Sequence, residues 1–331
     1  MILDKPIGIA GAGSIGCFVG GMYASAGRRV ALLARPRVIG EIESNGLRLT
    51  SFEGLDCSIP SNQLTLSEDP SILGNTGVVL VTVKSADTAG VAEIIARHAP
   101  ADAVVVSLQN GNVALLRQRL PGRRVLAGMV PFNVIAPGEG RFHRATSGDI
   151  VIEQDDAGTA NQLSVPGLKL RPSSNMTGVQ WGKLLVNLNN ALNALADLPL
   201  RRQLAQRPWR RLLADQMAEA LAAMRAEDIK PVSPTPIPAA WMPPLLRLPD
   251  LIFEAMLGRT MKIDPDARSS MWEDLRRGRR TEIDYLQGVI TEIAGRRGLE
   301  APLSRRIVEL IHKAELDARG SPGLTPEQIR G

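Results

Sequence analysis

The chain has 331 residues, 39 Lys and Arg against 34 Asp and Glu, a formal net charge of +5 and 44% hydrophobic residues, which suggests two domains and excludes a disordered chain. No uncharged apolar run reaches the roughly 18 residues of a membrane span, and two cysteines, Cys17 and Cys57, are too few for a disulfide framework or a Cys-rich zinc site. Three scattered histidines, His98, His143 and His312, offer no ligand spacing, so no metal is expected, and the diffuse charge suits a phosphate-bearing small molecule better than a nucleic acid or a membrane.

Residues 1–5 lack the basic start and apolar core of a secretory leader. A cytoplasmic protein with reduced thiols is expected. Residues 7–10 read as a short strand, followed by Gly11, Ala12, Gly13, Ser14, Ile15 and Gly16 and then a helix to about residue 26. This is GxGxxG between strand and helix, the context that turns a weak motif into a dinucleotide site. The first glycine permits the turn, the second lets the backbone approach a pyrophosphate, and the third lets the helix pack on the strand. The helix N-terminus then offers N–H groups and a partial positive charge to the anion.

Residues 28–33 form a second strand. An NAD site usually places an acid at its end for the ribose hydroxyls. Here Arg35 stands there and no acid occurs before Glu41. The planar guanidinium suits a 2′-phosphate, so NADPH is expected over NADH; a solvated surface arginine is the plain alternative. Uncharged strands follow over residues 77–83, 103–107 and 125–130, with a helix over 85–99. Their apolar runs predict a parallel sheet covered on both faces, a doubly wound α/β domain. Lys84 and Asn110 directly follow two of these strands, where ligands sit in such sheets. An Asn-Gly pair is otherwise an ordinary turn.

After about residue 172 the pattern becomes helical, over 180–196, 209–227, 269–294 and 303–318. The expected domains are 1–172, a Rossmann domain binding NADPH, and 173–331, a helical domain for substrate and catalysis. A proline-dense stretch over 230–250 cannot be a regular helix. It reads as an ordered loop that buries Trp241, Met242 and leucines. The Leu and Ala stripe over 212–224 fits either helix core or the surface of a homodimer. Lys183, Asn187 and Asn190 share one helical face by their spacing. A lysine among apolar neighbours has a lowered pKa and can act as a general acid; the plain alternative is a surface lysine. Composition alone does not single out Ser270, Asp274 or Glu282.

Taken together and in order, the glycine turn, Val81-Thr82-Val83-Lys84, Gln109-Asn110-Gly111, residues 181–187 and Thr281-Glu282-Ile283-Asp284-Tyr285 resemble the ketopantoate reductase family over nearly the whole chain. The resemblance implies a Rossmann domain followed by a helical domain like that of 6-phosphogluconate dehydrogenase, with the active site between them. It implies NADPH-dependent reduction of 2-dehydropantoate to (R)-pantoate, a step toward pantothenate and coenzyme A, with hydride delivered to the keto carbon. By position, Lys183 matches the proton donor, Asn187 and Ser270 substrate contacts, Asn110 a contact to both ligands, Glu282 a residue organising site and cofactor, and Arg35 and Lys84 the phosphate-binding cations. Asp274 matches an acidic position and is given a structural role. One departure falls on the substrate side: the family commonly carries a second asparagine followed by proline where this chain has Ala191-Leu192. The neighbours Asn189, Asn190 and Asn193 are candidates to replace it, Asn190 lying on the Lys183 face. Reduction of another 2-oxo acid, or a non-catalytic NADPH-binding role, are the competing expectations.

Overall fold

In a computed structural model of the protein, residues 4–234, 237–258 and 264–331 are described. Residues 1–3 of the N-terminal stretch and Pro236 of the proline-dense stretch lie outside them. The chain divides into two compact units, Met1–Met176 and Thr177–Gly331.

The first unit runs β1 (Ile7–Ala10), α1 (Ser14–Ser25), β2 (Val30–Leu33), α2 (Pro36–Asn45), β3 (Leu47–Ser51), β4 (Asp56–Ile59), β5 (Thr65–Ser67), β6 (Val78–Val81), α3 (Thr88–His98), β7 (Val104–Ser107), α4 (Val113–Arg119), β8 (Val125–Met129), β9 (Val134–Gly138), β10 (Arg141–Arg144), β11 (Ile150–Glu153), α5 (Thr159–Leu163) and β12 (Leu170–Ser173). Every residue of β1, β6, β7 and β8 is buried, as central strands covered on both faces must be. Among the described residues these strands belong to an eight-stranded sheet of order β12-β11-β8-β7-β6-β1-β2-β5. It is parallel from β5 to β8, and β11 then pairs antiparallel with β8. From β1 the chain moves outward through β2 and β5, then returns to the other side of β1 at β6. This reversal makes the crevice beyond Ala10 and Val81, which are paired in register, the ligand-binding end of the sheet.

A second sheet, β4-β3-β10-β9, was not foreseen. Strands β3 and β10 carry Arg48, Arg141 and Arg144, β4 opens on Asp56, and β9 ends in Pro137-Gly138, so none reads as a buried apolar run. Helix α1 is packed between the two sheets. A Cβ at Gly20 would meet Leu32 Cδ2 at 2.8 Å in the large sheet, and one at Gly21 would meet Leu47 Cδ2 at 2.7 Å in the small one. His143 is half-buried there, its Nδ1 paired with Thr50 Oγ1 at 2.8 Å. Cys17 is wholly buried, and burial pushes its thiol up to about 12, which leaves it no nucleophilic role.

The second unit contains α6 (Met176–Asn187, entering from the first), α7 (Asn189–Ala196), α8 (Leu200–Ala205), α9 (Arg207–Ala226), α10 (Met242–Leu246), α11 (Asp250–Phe253), α12 (Ser270–Arg276), α13 (Val289–Arg296), α14 (Pro302–Asp317) and α15 (Pro326–Arg330). The helix expected over 180–196 is broken at Leu188. The one expected over 269–294 is broken around Gly278, whose φ is +60°. The stripe of α9 (Leu212, Leu213, Met217, Ala220, Leu221, Met224) lies in the core of this unit, which decides for core over a dimer surface.

The proline-dense stretch also corrects the expectation. It includes α10, whose prolines sit in the first turn where no intrahelical bond is lost, and leads through the N-cap Pro249 into α11. Trp241 is 63% exposed rather than buried; Phe253 fills the interior instead. The segment is clamped by Arg210 of α9, which is fully buried and uses all five of its N–H groups. These donate to the carbonyls of Leu204, Ala205, Leu246 and Leu248 and to the Asp250 carboxylate, and the guanidinium stacks on Phe253 at 4.1 Å. Among the described residues no helix is long and apolar enough to cross a membrane.

Candidate active site

In the first unit the predicted cofactor residues gather at the sheet crevice. Gly11 has φ +102°, a conformation that a side chain strains against, and a Cβ there would lie 2.8 Å from the Val83 nitrogen. A Cβ at Gly16 would stand 2.5 Å from the Gly11 carbonyl oxygen and 2.6 Å from Thr82 Oγ1, so this glycine is required for α1 to approach the sheet. Gly13 is exposed, and a Cβ there would meet nothing within 4 Å. Open space in front of this backbone is what a bound pyrophosphate would fill. Gly13 caps α1 without a side-chain acceptor, which leaves the first-turn N–H groups of Ser14 and Ile15 directed at that space. Ala12 is buried, its N–H held by the Leu33 carbonyl at 3.1 Å.

Arg35, exposed at the start of α2, has no ion-pair partner among the described residues. Glu41, the first acid after β2, is taken by Arg37. Lys84 is exposed just past β6, and Asn110 is half-buried just past β7. Three residues to which sequence reasoning gave no role, Thr82, Gln109 and Ser85, hold these loops together. Thr82 Oγ1 donates to the Gly11 carbonyl at 2.6 Å. Gln109, buried, donates from Nε2 to the Val83 and Lys84 carbonyls and to Thr88 Oγ1, while Ser85 Oγ bonds the Asn110 carbonyl at 3.1 Å. The β6 and β7 loops are thereby one hydrogen-bonded body. The residues present fit a dinucleotide phosphate at this turn.

In the second unit, Lys183 and Asn187 lie one turn apart on α6, and Asn190 follows on α7 beyond the break at Leu188. The interruption is one residue long: Leu188 keeps helical dihedrals (φ −55°, ψ −29°) and its N–H donates to the Leu184 carbonyl at 3.0 Å. Lys183 is half-buried; burial pulls its ammonium down to about 8, and the nearby Glu282 carboxylate opposes that fall. Glu282 is itself half-buried, in a turn fixed by the Thr281 N–H donating to Glu315 Oε1 at 2.7 Å and by the Tyr285 N–H donating to the Glu282 carbonyl at 3.0 Å. The side-chain amides of Asn187 and Asn190 find no partner among the described residues, so both can serve a ligand.

The other asparagines do not replace the missing amide. Asn189 and Asn193 are buried in a closed network with Gln203, and Asn193 Oδ1 also accepts the Ser269 N–H at 2.8 Å. Ala191 is wholly buried, so that position presents nothing at the surface. Ser270 is exposed on the first turn of α12, whereas its neighbour Ser269 is the buried cap, accepting from the Trp272 N–H and donating to the Asn190 carbonyl at 2.9 Å. Asp274 is buried.

The helix of Lys183 is also braced by the proline-dense stretch. The Val232 N–H donates to the Gly178 carbonyl at 2.8 Å, and a Cβ at Gly182 would fall 1.7 Å from the Val232 carbonyl oxygen. Gly178 and Gly182 thus form a groove that receives the backbone at Val232. The spacing G-x-x-x-G was the available signal for it. A separate hollow of about 300 Å³ in the first unit, lined by Glu53, Arg144, Asp149 and Lys169 among others, contains none of the predicted site residues.

The chain matches the family model of ketopantoate reductase PanE/ApbA over residues 7–156 and that of its C-terminal domain over residues 175–315. It is 28% identical over 323 residues to a 2-dehydropantoate 2-reductase of Halobacterium salinarum, covering 93% of this chain and 98% of that protein. The crystal structure of a PanE/ApbA family ketopantoate reductase from Ralstonia eutropha JMP134 superposes with a TM-score of 0.79 at 32% identity, over 95% of this chain and 99% of that one. A ternary structure of D-mandelate dehydrogenase with NADH and anilino(oxo)acetate shares the fold, with a TM-score of 0.77 at 21% identity over 95% and 99%.

Proposed function

Because the chain belongs to the PanE/ApbA ketopantoate reductase family, a family of oxidoreductases, we propose that it is a cytoplasmic enzyme that reduces 2-dehydropantoate to (R)-pantoate with NADPH. The observation that carries this reading is Lys183, half-buried with its ammonium near pH 8 beside Glu282. When bound, the reduced nicotinamide supplies a hydride to the keto carbon. Gly11, Ala12, Gly13, Ser14, Ile15 and Gly16 would hold the pyrophosphate, Arg35 and Lys84 the 2′-phosphate, and Asn110 the region shared by cofactor and substrate. Lys183 gives its proton to the keto oxygen as negative charge develops there. Glu282 keeps that lysine charged and oriented, while Asn187, Asn190 and Ser270 hold the substrate's oxygens.

Purified protein given NADPH should oxidise it faster with 2-dehydropantoate than with pyruvate, 2-oxoisovalerate or phenylpyruvate. No turnover with any of the four would sink the reading. A preference for one of the others would support the second reading, reduction of a different 2-oxo acid, which Ala191 favours because it offers no amide where the family commonly has an asparagine. Arg35→Ser should weaken NADPH binding about 10- to 100-fold, the loss of a charge-assisted bond, and leave NADH binding unchanged. Equal losses for both cofactors would remove Arg35 from the phosphate site.

The pH dependence has a definite sign. Reduction needs the ammonium form of Lys183, so kcat should be level below about pH 8 and fall tenfold per unit above it. Glu282 raises this pKa, so Glu282→Gln should move the alkaline limb to lower pH. A limb that stays put, or moves up, in the Glu282→Gln protein would show that the two charges do not interact.

A further inference from the structure

Gln287 lies five residues after Glu282, within a widened helical turn, Asp284–Gly288, that leads into α13. Such turns place an extra residue in the helix and occur often at functional sites. Gln287 is wholly buried, and its Nε2 donates to the carbonyl of Leu188 at 2.8 Å. Leu188 is the single residue between α6, which carries Lys183 and Asn187, and α7, which carries Asn190. One side chain therefore ties the element after Glu282 to the helix break around which the other predicted residues are arranged.

Packing does not account for this glutamine. Its Oε1 is buried with no partner among the described residues. A methionine of similar length would fill the same space without leaving an amide oxygen unsatisfied. A buried group kept at a loss to stability needs another reason.

We propose that Gln287 is a positioning residue for the reaction: by holding the Leu188 carbonyl it fixes the helix break and so sets Lys183 and Asn187 against Asn190 and the turn of Glu282. It touches neither substrate nor cofactor. The proposal rests on the reductase reading above. Asp284 on the same turn is engaged with His312 at 3.0 Å, and Glu315 of the neighbouring α14 accepts the Thr281 N–H, so the link to Leu188 runs through Gln287.

The test compares Gln287→Met, which removes the donor and keeps the length, with Gln287→Glu, whose carboxyl donates only when protonated. For Gln287→Met we expect kcat with the best 2-oxo acid to fall about 10- to 100-fold, as small misplacements of reacting groups do. The alkaline limb should shift by half a unit or more. NADPH affinity, measured by fluorescence, should stay within twofold, and Tm should be equal or higher. Gln287→Glu should recover kcat relative to Gln287→Met as pH falls from 8 to 5. A methionine variant with wild-type kcat, KM and pH profile overturns the proposal. So does a loss of kcat matched by equal losses of NADPH binding and Tm, which would mark a merely structural role. Wild-type turnover is the control: its absence overturns the reductase reading itself, and the proposal with it.

Discussion

Lys183→Ala is expected to lower kcat for 2-oxo acid reduction by about 10²–10⁴-fold, the contribution of a positioned general acid. NADPH affinity should stay within a few-fold, because the glycine turn, Arg35 and Lys84 belong to the other unit. The physical reason is the microenvironment of the lysine. An exposed lysine keeps its proton until about pH 10.5 and is a poor donor at neutrality. Burial brings Lys183 to about 8, where it is still charged at pH 7 yet gives its proton readily. Alanine removes the donor without adding bulk. Stopped-flow reduction and cofactor titration on the same sample separate the two quantities. A variant that keeps both turnover and NADPH binding would take Lys183 out of the mechanism. Unmeasurable turnover in the wild type, with NADPH bound tightly, would favour a non-catalytic role for the fold.

Gly182→Ala should have the largest effect on the second unit. The new Cβ would lie 1.7 Å from the Val232 carbonyl oxygen and 2.6 Å from its carbon, both backbone atoms that no rotamer change can move. The bond from the Val232 N–H to the Gly178 carbonyl would be lost as the chain is pushed off α6. Overpacking of this kind costs about 1–3 kcal/mol or more, which for a unit of this size lowers Tm by roughly 3–10 °C. Because Lys183 is the next residue, displacement of the chain should admit water around it. Its pKa should rise toward that of an ordinary lysine, and the alkaline limb of kcat should move to higher pH. Calorimetry and a pH–rate profile read the two consequences. An unchanged Tm together with an unchanged limb would mean that the contact at Val232 is not what braces this helix.

The buried strands β1, β6, β7 and β8 were legible in the sequence because each is a short uncharged run, and a strand covered on both faces can carry little else. The glycine turn was legible for a similar reason: each glycine answers a local steric demand, and the clashes that a Cβ would make at Gly11 and Gly16 are those demands in distances. The small sheet escaped notice because charged residues interrupt β3, β4 and β10 and β9 ends in Pro-Gly, so strands of only four or five residues show no uninterrupted apolar run. The face shared by Lys183 and Asn187 followed from helical spacing alone. The interruption at Leu188 did not, nor did the bond to its carbonyl from Gln287, 99 residues away. The same holds for Asn189 and Asn193, which look like substitutes for the missing amide until Gln203 and the Ser269 N–H are seen to occupy them. Residue types and local spacing therefore determined the fold class, the cofactor turn and the lysine, since each rests on contacts within a few residues. Only the tertiary structure decided which amides remain available, what braces the lysine's helix and how far its pKa falls, because burial and hydrogen-bond partners come from residues distant in the chain.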